Sequence, residues 1–323
     1  MLPPSADGQM PIASVVSSNY KKMKDRLFTY RILIIISLLL TGKDLNASPQ
    51  RPDYLIHKGD TLPVYNLILE KYLTEINQAD KGSLFGLKFR DGASLNCWRG
   101  YQAIYKIEND SLFLSDIIEC GELQYKKIIN KDESNRKITN IFKNQIKNGK
   151  VFIDWYSGNF SLPKSTILRW DGVFYKSFEK EILIKVDKGE IKYIKPIDNY
   201  IDNPNRINRR YNDTISNVLF ERIKSKKLNW KKLDDCLCAE KYLVTINKNG
   251  KVTKVEMADY QSKDTINKYW DRKDYNLCVK SIYKAVKGLD FDVIKRMGEK
   301  ISEKVYLEIW YEDKTGQIEN WTR

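Results

Sequence analysis

The chain has 323 residues, of which 42% are hydrophobic and 30% are charged, a composition typical of a globular protein and unlike that of a disordered or fibrous one. Its formal net charge is +14, but the basic residues are scattered among acidic ones. The basic clusters at 205–210 and 224–227 lack the aromatic interleaving of a nucleic-acid module, so no nucleic-acid partner is expected. With one histidine, His57, and cysteines in no zinc-finger spacing, no metal site is predicted either.

Residues 23–48 have the layout of a secretory signal peptide. A basic stretch precedes the apolar run 32–40, and small residues follow, with Ala47 as the predicted last residue removed. Residues 1–22 do not resemble the start of such a signal, so Met23 is the predicted true start. The apolar run is shorter than the roughly 20 residues of a membrane span. The alternative is an uncleaved inner-membrane anchor at 27–40, through which alone the protein would contact a membrane.

Export would place the five cysteines where disulfides persist, and an odd number leaves at least one free or paired between chains. The hairpin register expected for 100–117 makes Cys97 and Cys120 diagonal neighbours, about 7–8 Å apart at Cα. A disulfide needs about 4.4–6.8 Å, so this bridge requires a bulge, for instance near Gly121. Cys278 is either a small buried apolar residue or a disulfide partner for Cys236 or Cys238. The disulfide candidates are therefore Cys97, Cys120, Cys236, Cys238 and Cys278.

Residues 52–198 read as a mostly antiparallel β domain with one helix. Asn109-Asp110 marks a hairpin loop, and Lys188-Gly189 marks another, with Ile184 opposite Tyr193. The facing pairs predicted for the first hairpin are Ile107–Leu112, Tyr105–Leu114 and Tyr101–Ile118. The helix is predicted at 62–77 with Pro63 in its first turn, because six apolar residues share one helical face: Leu62, Tyr65, Leu69, Tyr72, Leu73 and Ile76.

No catalytic residue and no cofactor is predicted in this β-rich domain, and the protein is not predicted to be an enzyme. A single histidine rules out a Ser–His–Asp set, and neither a dinucleotide-binding nor a P-loop motif occurs. The segments CWRGY (97–101) and DWYSG (154–158) could line a ligand pocket, but core and strand-end positions account for their aromatic residues better.

The Asn-rich segment 199–213 is the predicted linker to a C-terminal α+β domain at 214–323. Asp213 is placed to cap a helix carrying Ile215, Val218, Leu219 and Ile223 on one side. The segment YLVTINKNGKVTKVEM (242–257) follows, with an Asn249-Gly250 turn. A two-residue loop there predicts the pairs Lys248–Lys251, Ile246–Thr253, Val244–Val255 and Tyr242–Met257.

An amphipathic helix is predicted within the segment 274–291, with Gly288 placed to end it, and a third strand is predicted at 302–313. The core side of the helix would carry Tyr275, Cys278, Val279, Ile282, Ala285 and Val286. The core side of the strand would carry Val305, Leu307, Ile309 and Tyr311. The order of elements predicts a three-stranded antiparallel sheet packed on helices.

Together, 242–257, CVKSIYKAVKGLDF (278–291) and KVYLEIWYE (304–312) resemble the C-terminal domain of TonB, over about 236–312. The resemblance implies a periplasmic or envelope protein. It does not imply energy transduction, since the chain lacks that family's long Pro-rich spacer. In the family the last strand can accept a partner strand, which implies a partner-binding edge at 303–311, with Val305, Leu307, Ile309 and Tyr311.

We therefore expect a non-enzymatic periplasmic or secreted protein whose C-terminal domain binds another envelope protein, in the simplest case by edge-strand addition. Two alternatives stay open. One is an enzyme acting on cell-wall or glycan material in the β-rich domain, and the other is a module that binds an anionic polymer through the basic surface.

Overall fold

A computed structural model of the protein describes residues 49–76, 94–126 and 128–322. The predicted signal peptide, the start at Met23 and the alternative anchor at 27–40 lie outside these residues. The described part belongs to one compact unit, Ser48–Arg323, of the α+β class with mostly antiparallel sheets.

The β-rich part is built on a nine-stranded sheet, in which the β1–β3 pair is parallel and the other pairs among the described strands are antiparallel. The strand order is β2-β1-β3-β4-β11-β10-β7, with β6 added on β4 and β5 on β6, while β8 and β9 form a separate ribbon. The strands are β1 (Asp53–His57), β2 (Asp60–Val64), β3 (Gln102–Glu108), β4 (Ser111–Ile118), β5 (Ile146–Lys147), β6 (Lys150–Phe152), β7 (Gly158–Pro163), β8 (Ile167–Trp170), β9 (Lys176–Phe178), β10 (Lys180–Asp187) and β11 (Glu190–Asp198). The helices are α1 (Ile68–Ile76), α2 (Glu122–Tyr125) and α3 (Lys131–Phe142), followed by a 3-10 turn, Lys143–Gln145, so the predicted single helix is wrong.

The predicted helix 62–77 is wrong at its beginning. Pro63 lies in β2, opposite Tyr54, and α1 begins only at Ile68. Because β2 is an edge strand of the sheet, it tolerates a proline that an interior strand would exclude. The helical spacing of the first apolar residues therefore has no structural counterpart.

Bulges shift two of the predicted β registers. In the β3–β4 hairpin, Asn109 and Asp110 both have positive φ, and the pairs nearest the loop are confirmed. A bulge between Ile104 and Tyr105 then places Gln102, rather than Tyr101, opposite Ile118. A second bulge, beside Lys185 in β10, places Ile194 rather than Tyr193 opposite Ile184. A bulge adds one residue to one strand only, which a count outward from the turn cannot detect.

The C-terminal part has a four-stranded sheet of order β14-β13-β17-β18, so the predicted count of three is wrong. Three short strands form a separate small sheet of order β12-β15-β16. The strands are β12 (Tyr200–Ile201), β13 (Lys241–Ile246), β14 (Val252–Met257), β15 (Val293–Arg296), β16 (Glu299–Lys300), β17 (Glu303–Glu312) and β18 (Gln317–Asn320). The helices are α4 (Asn212–Ser225), α5 (Trp230–Asp234), α6 (Lys263–Tyr269) and α7 (Arg272–Val286).

The β13–β14 hairpin has Val244 opposite Val255 and Tyr242 opposite Met257, as predicted. Near the turn the prediction is wrong: Ile246 lies opposite Val252 instead of Thr253, and the N–H of Asn247 donates to the carbonyl of Lys251, so Lys248 and Lys251 do not pair. Gly250, with φ +87°, forms the bulge of a longer loop, and a Cβ there would lie 1.9 Å from the Phe291 carbonyl oxygen.

The unit contains two large hydrophobic cores, one in each part. Around the C-terminal core, α4 begins one residue before Asp213, which therefore lies in its first turn and does not cap it. Tyr275 and Val279 of α7 are only partly buried. Residues 199–213 contribute β12, which pairs with β15, and the fully buried Arg209. The boundaries at 198 and 214 stay a prediction. The core residues shared with the predictions are Ile215, Leu219, Ile223, Cys278, Ile282, Ala285 and Val286.

Candidate functional site

The predicted partner-binding residues lie in the middle of a sheet. The side chains of Val305, Leu307, Ile309 and Tyr311 are all buried in the C-terminal core. On one side, β17 pairs with β13 from Glu303 to Glu308, and on the other side β18 covers its second half. These four side chains are therefore core residues and are not exposed at an edge.

Backbone alternation shows which groups of β17 remain open. The Ile309 N–H donates to the Glu240 carbonyl on the β13 side, and the Glu308 carbonyl accepts from the Trp321 N–H on the β18 side. Odd-numbered residues of β17 thus direct their backbone groups to β13, and even-numbered residues direct theirs outward. Because β18 pairs only with Ile309–Glu312, no strand among the described residues pairs with the outward groups of Lys304 and Tyr306.

Exposed aromatic rings stand beside this open segment. Tyr306, Trp310 and Trp321 have exposed fractions of 52%, 45% and 44%. Trp310, in β17, and Trp321, directly after β18, stack at 4.7 Å between ring centroids, with 16° between ring planes. The ammonium of Lys241 lies 5.4 Å from the centroid of the Tyr306 ring. The sequence marks these residues as the outward side of a strand, but only the position of β18 shows that they border an open edge.

A second open edge, on β11, has features that oppose strand addition. β11 pairs with β4 only at Glu190, and residues 192–196 are exposed. The Asn199 N–H donates to Glu179 on the β10 side, so the even residues 194–198 direct their backbone groups outward. One of them is Pro196, which has no N–H to donate. Proline and lysine on an edge strand are common protections against pairing with another chain.

A cluster of charged side chains anchors the first residue of β17 to the rest of the unit. Glu303 accepts from Arg169 at 2.5 and 3.0 Å, and from Arg209 at 3.1 and 3.2 Å. Burial acts to raise the pKa of Glu303, but the hydrogen bond and charge of Arg169 and the charge of Arg209 hold it below its ordinary value. Burial lowers the pKa of Arg209, whose side chain has no exposed area.

The segment CWRGY contributes a buried polar network. Arg99 donates to Asp53 at 2.7 Å, and Tyr105 donates to the same carboxylate at 3.1 Å. Burial raises the pKa of Asp53, although the charge of Arg99 opposes this. Tyr101 is buried, and Trp98 is partly exposed. The arrangement joins β1 to β3, which agrees with the structural interpretation for Tyr101, whereas Trp98 lies outside the core and outside any strand.

The cysteines form two disulfides, Cys97–Cys120 and Cys238–Cys278, with Cα separations of 6.2 and 5.1 Å. Cys236 is a free thiol of intermediate exposure. Burial raises its pKa, as does the hydrogen bond it makes with Asp274.

In the described part of the chain, no group of three or more His, Cys, Asp or Glu side chains is placed to hold a metal ion. Within those same residues, no helix has both the length and the apolar character that crossing a membrane requires. No known protein family matches the chain, and neither a curated protein nor a solved structure matches it. The resemblance of 236–312 to the TonB C-terminal domain therefore stays a prediction.

Proposed function

We propose that the chain is a non-enzymatic binding protein of the bacterial cell envelope, periplasmic or secreted, which holds another envelope protein through its C-terminal part. The partner contributes an extended segment that adds to the outer side of β17 and continues the line of β18. The observation that carries the proposal is the pair of outward backbone positions at Lys304 and Tyr306, which no strand in 49–76, 94–126 or 128–322 covers.

The geometry suits a short recognition segment. Each of the two open residues offers one N–H and one C=O, and a net contribution of about 0.5–1.5 kcal/mol per hydrogen bond gives roughly 2–6 kcal/mol. Association costs at least a comparable amount, so backbone pairing alone would be weak. The rings of Tyr306 and Trp310 add apolar area next to the open segment, and the expected partner therefore carries an apolar or aromatic side chain facing them.

The two disulfides support the proposed location in the periplasm or outside the cell. Disulfides persist in the periplasm and outside the cell and are rare in the cytosol, which agrees with the signal peptide predicted at 23–48.

Selection of binders from a phage-displayed library of unstructured peptides tests the proposal. The selected peptides are assayed against Lys304→Pro, which removes an outward N–H without breaking a bond to β13. Ile194→Pro is the matched control, because it removes an outward N–H on the β11 edge. Tyr306→Thr distinguishes the contribution of the ring from that of the backbone, since it removes the ring and keeps the N–H.

We expect Lys304→Pro to weaken peptide binding at least tenfold, Tyr306→Thr to weaken it by a smaller factor, and Ile194→Pro to leave it unchanged. Failure to enrich any peptide, or equal binding by wild type and a folded Lys304→Pro variant, would contradict strand addition at β17.

A further inference from the structure

A shallow cleft lies in the β-rich part, where the ends of β7, β10 and β11 meet. Its volume is about 590 Å³, within the range of small-molecule sites. Two lysines, a tyrosine, a serine and an aspartate supply most of the lining, which includes Ser157, Gly158, Lys185, Asp187, Lys192 and Tyr193. Neither the proposed partner edge on β17 nor the buried Asp53 network includes any of these residues.

The walls of the cleft are held in place by backbone features. The β10–β11 pairing has its bulge here, with Lys192 as the extra residue, and both Lys192 and Tyr193 line the cleft. Bulges often re-aim side chains beside functional sites. The Ser157 hydroxyl accepts from the Lys188 N–H at 2.8 Å and donates to the Asp187 carboxylate at 3.0 Å. The shape of the cleft is therefore formed before any ligand arrives.

The charge around the cleft is mixed. The ammonium of Lys192 is 2.7 Å from Glu190, whereas Lys185 has no carboxylate partner among the residues that the structure describes. Asp187 adds a carboxylate to the lining. Tyr193 presents a ring that is more than one third exposed. The cleft thus combines cations, an aromatic face and hydrogen-bond acceptors.

We propose that this cleft binds an acidic saccharide, that is, a sugar carrying a carboxylate. The Lys185 and Lys192 ammonium groups bind the carboxylate, the Tyr193 ring packs against the sugar ring, and Asp187 and Ser157 accept hydrogen bonds from hydroxyl groups. A purely phosphate-based polyanion fits less well, because it has no sugar hydroxyl groups to donate to Asp187 and Ser157 and therefore nothing to offset its repulsion by the Asp187 carboxylate.

Calorimetric titration of the full chain with three probes tests the proposal: trigalacturonate, the neutral galactose trimer and tripolyphosphate. We expect trigalacturonate to bind at least tenfold more tightly than either of the other two. Equal binding of the neutral trimer would refute the role of the lysines, and equal binding of tripolyphosphate would refute the assignment to a saccharide.

Variants locate the site on the molecule. Lys185→Gln and Lys192→Gln should each weaken trigalacturonate binding about tenfold, as expected for the loss of one charge-assisted hydrogen bond. Tyr193→Thr should weaken trigalacturonate binding several-fold, and threonine is chosen because it is well tolerated in a strand. Lys226→Gln and Lys263→Gln remove exposed charges elsewhere and should change nothing. Equal losses of trigalacturonate affinity from the two cleft variants and the two control variants would show that binding follows net charge alone. That result would contradict the assignment of the binding site to this cleft. This outcome is independent of peptide binding at β17.

Discussion

Glu303→Gln should destabilise the protein by about 3 kcal/mol at pH 7. Glu303 is the carboxylate shared by Arg169 and Arg209, and the Arg209 side chain is fully buried. Removing one partner of a buried ion pair costs about 3–5 kcal/mol, because the other charge stays desolvated. We take the lower end, since Glu303 keeps some solvent exposure and glutamine retains one acceptor oxygen.

The same substitution should show a pH dependence of defined sign. The pKa of Glu303 is depressed in the folded state, so its contribution is fully present above its unfolded pKa of about 4.3. That contribution is lost as the pH falls through the depressed folded value. The difference between wild type and Glu303→Gln should therefore begin to shrink as the pH falls below about 4.3 and approach zero once the pH is below the depressed folded pKa.

Urea unfolding of both proteins at pH 7 and at low pH measures this difference. Glu190→Gln is the control, because it breaks an exposed ion pair with Lys192 and should cost less than about 1 kcal/mol. A loss below 1 kcal/mol for Glu303→Gln at pH 7, or a loss independent of pH, would refute the reasoning.

Three further substitutions test local features. Leu237 has φ +56° at the end of α5 and is exposed, so Leu237→Gly should stabilise the protein by about 0.5–1 kcal/mol in the same urea assay, and Leu237→Ala should not. A Cβ on Gly189 would lie 2.7 Å from a backbone oxygen, so Gly189→Ala should cost about 1–3 kcal/mol more than Gly59→Ala, where φ is also positive but nothing lies within 4 Å. The disulfide Cys238–Cys278 closes a separation of 40 residues, so replacing both cysteines by serine should cost about 4 kcal/mol, and an equal melting temperature would contradict this.

Several elements could be predicted from the sequence because local signals agreed with the tertiary packing. The alternation of Val305, Leu307 and Ile309 gave the correct core side of β17, and Asn109-Asp110 gave the correct turn. In these segments, side-chain periodicity and turn chemistry suffice, since neither depends on distant residues.

The features that decide the candidate site divide into local and distant ones. The β17–β18 hairpin is local, since Gly316, with positive φ, lies in the four-residue turn between Glu312 and Gln317, and the predicted three-stranded sheet overlooked this signal. The grouping of Arg169, Arg209 and Glu303 requires the fold of both parts of the unit, because these residues are up to 134 positions apart. Bulges and charge clusters of this kind result from tertiary packing, and the periodicity of residues along the sequence carries no information about that packing.

Amide hydrogen exchange of β17, followed residue by residue by NMR with and without a selected peptide, tests the binding edge most directly. In the free protein, the Val305 and Leu307 amides should be protected, and the Lys304 and Tyr306 amides should exchange rapidly. Saturation with peptide should protect Lys304 and Tyr306. Protection of these two amides in the free protein, or no change on saturation, would contradict the account.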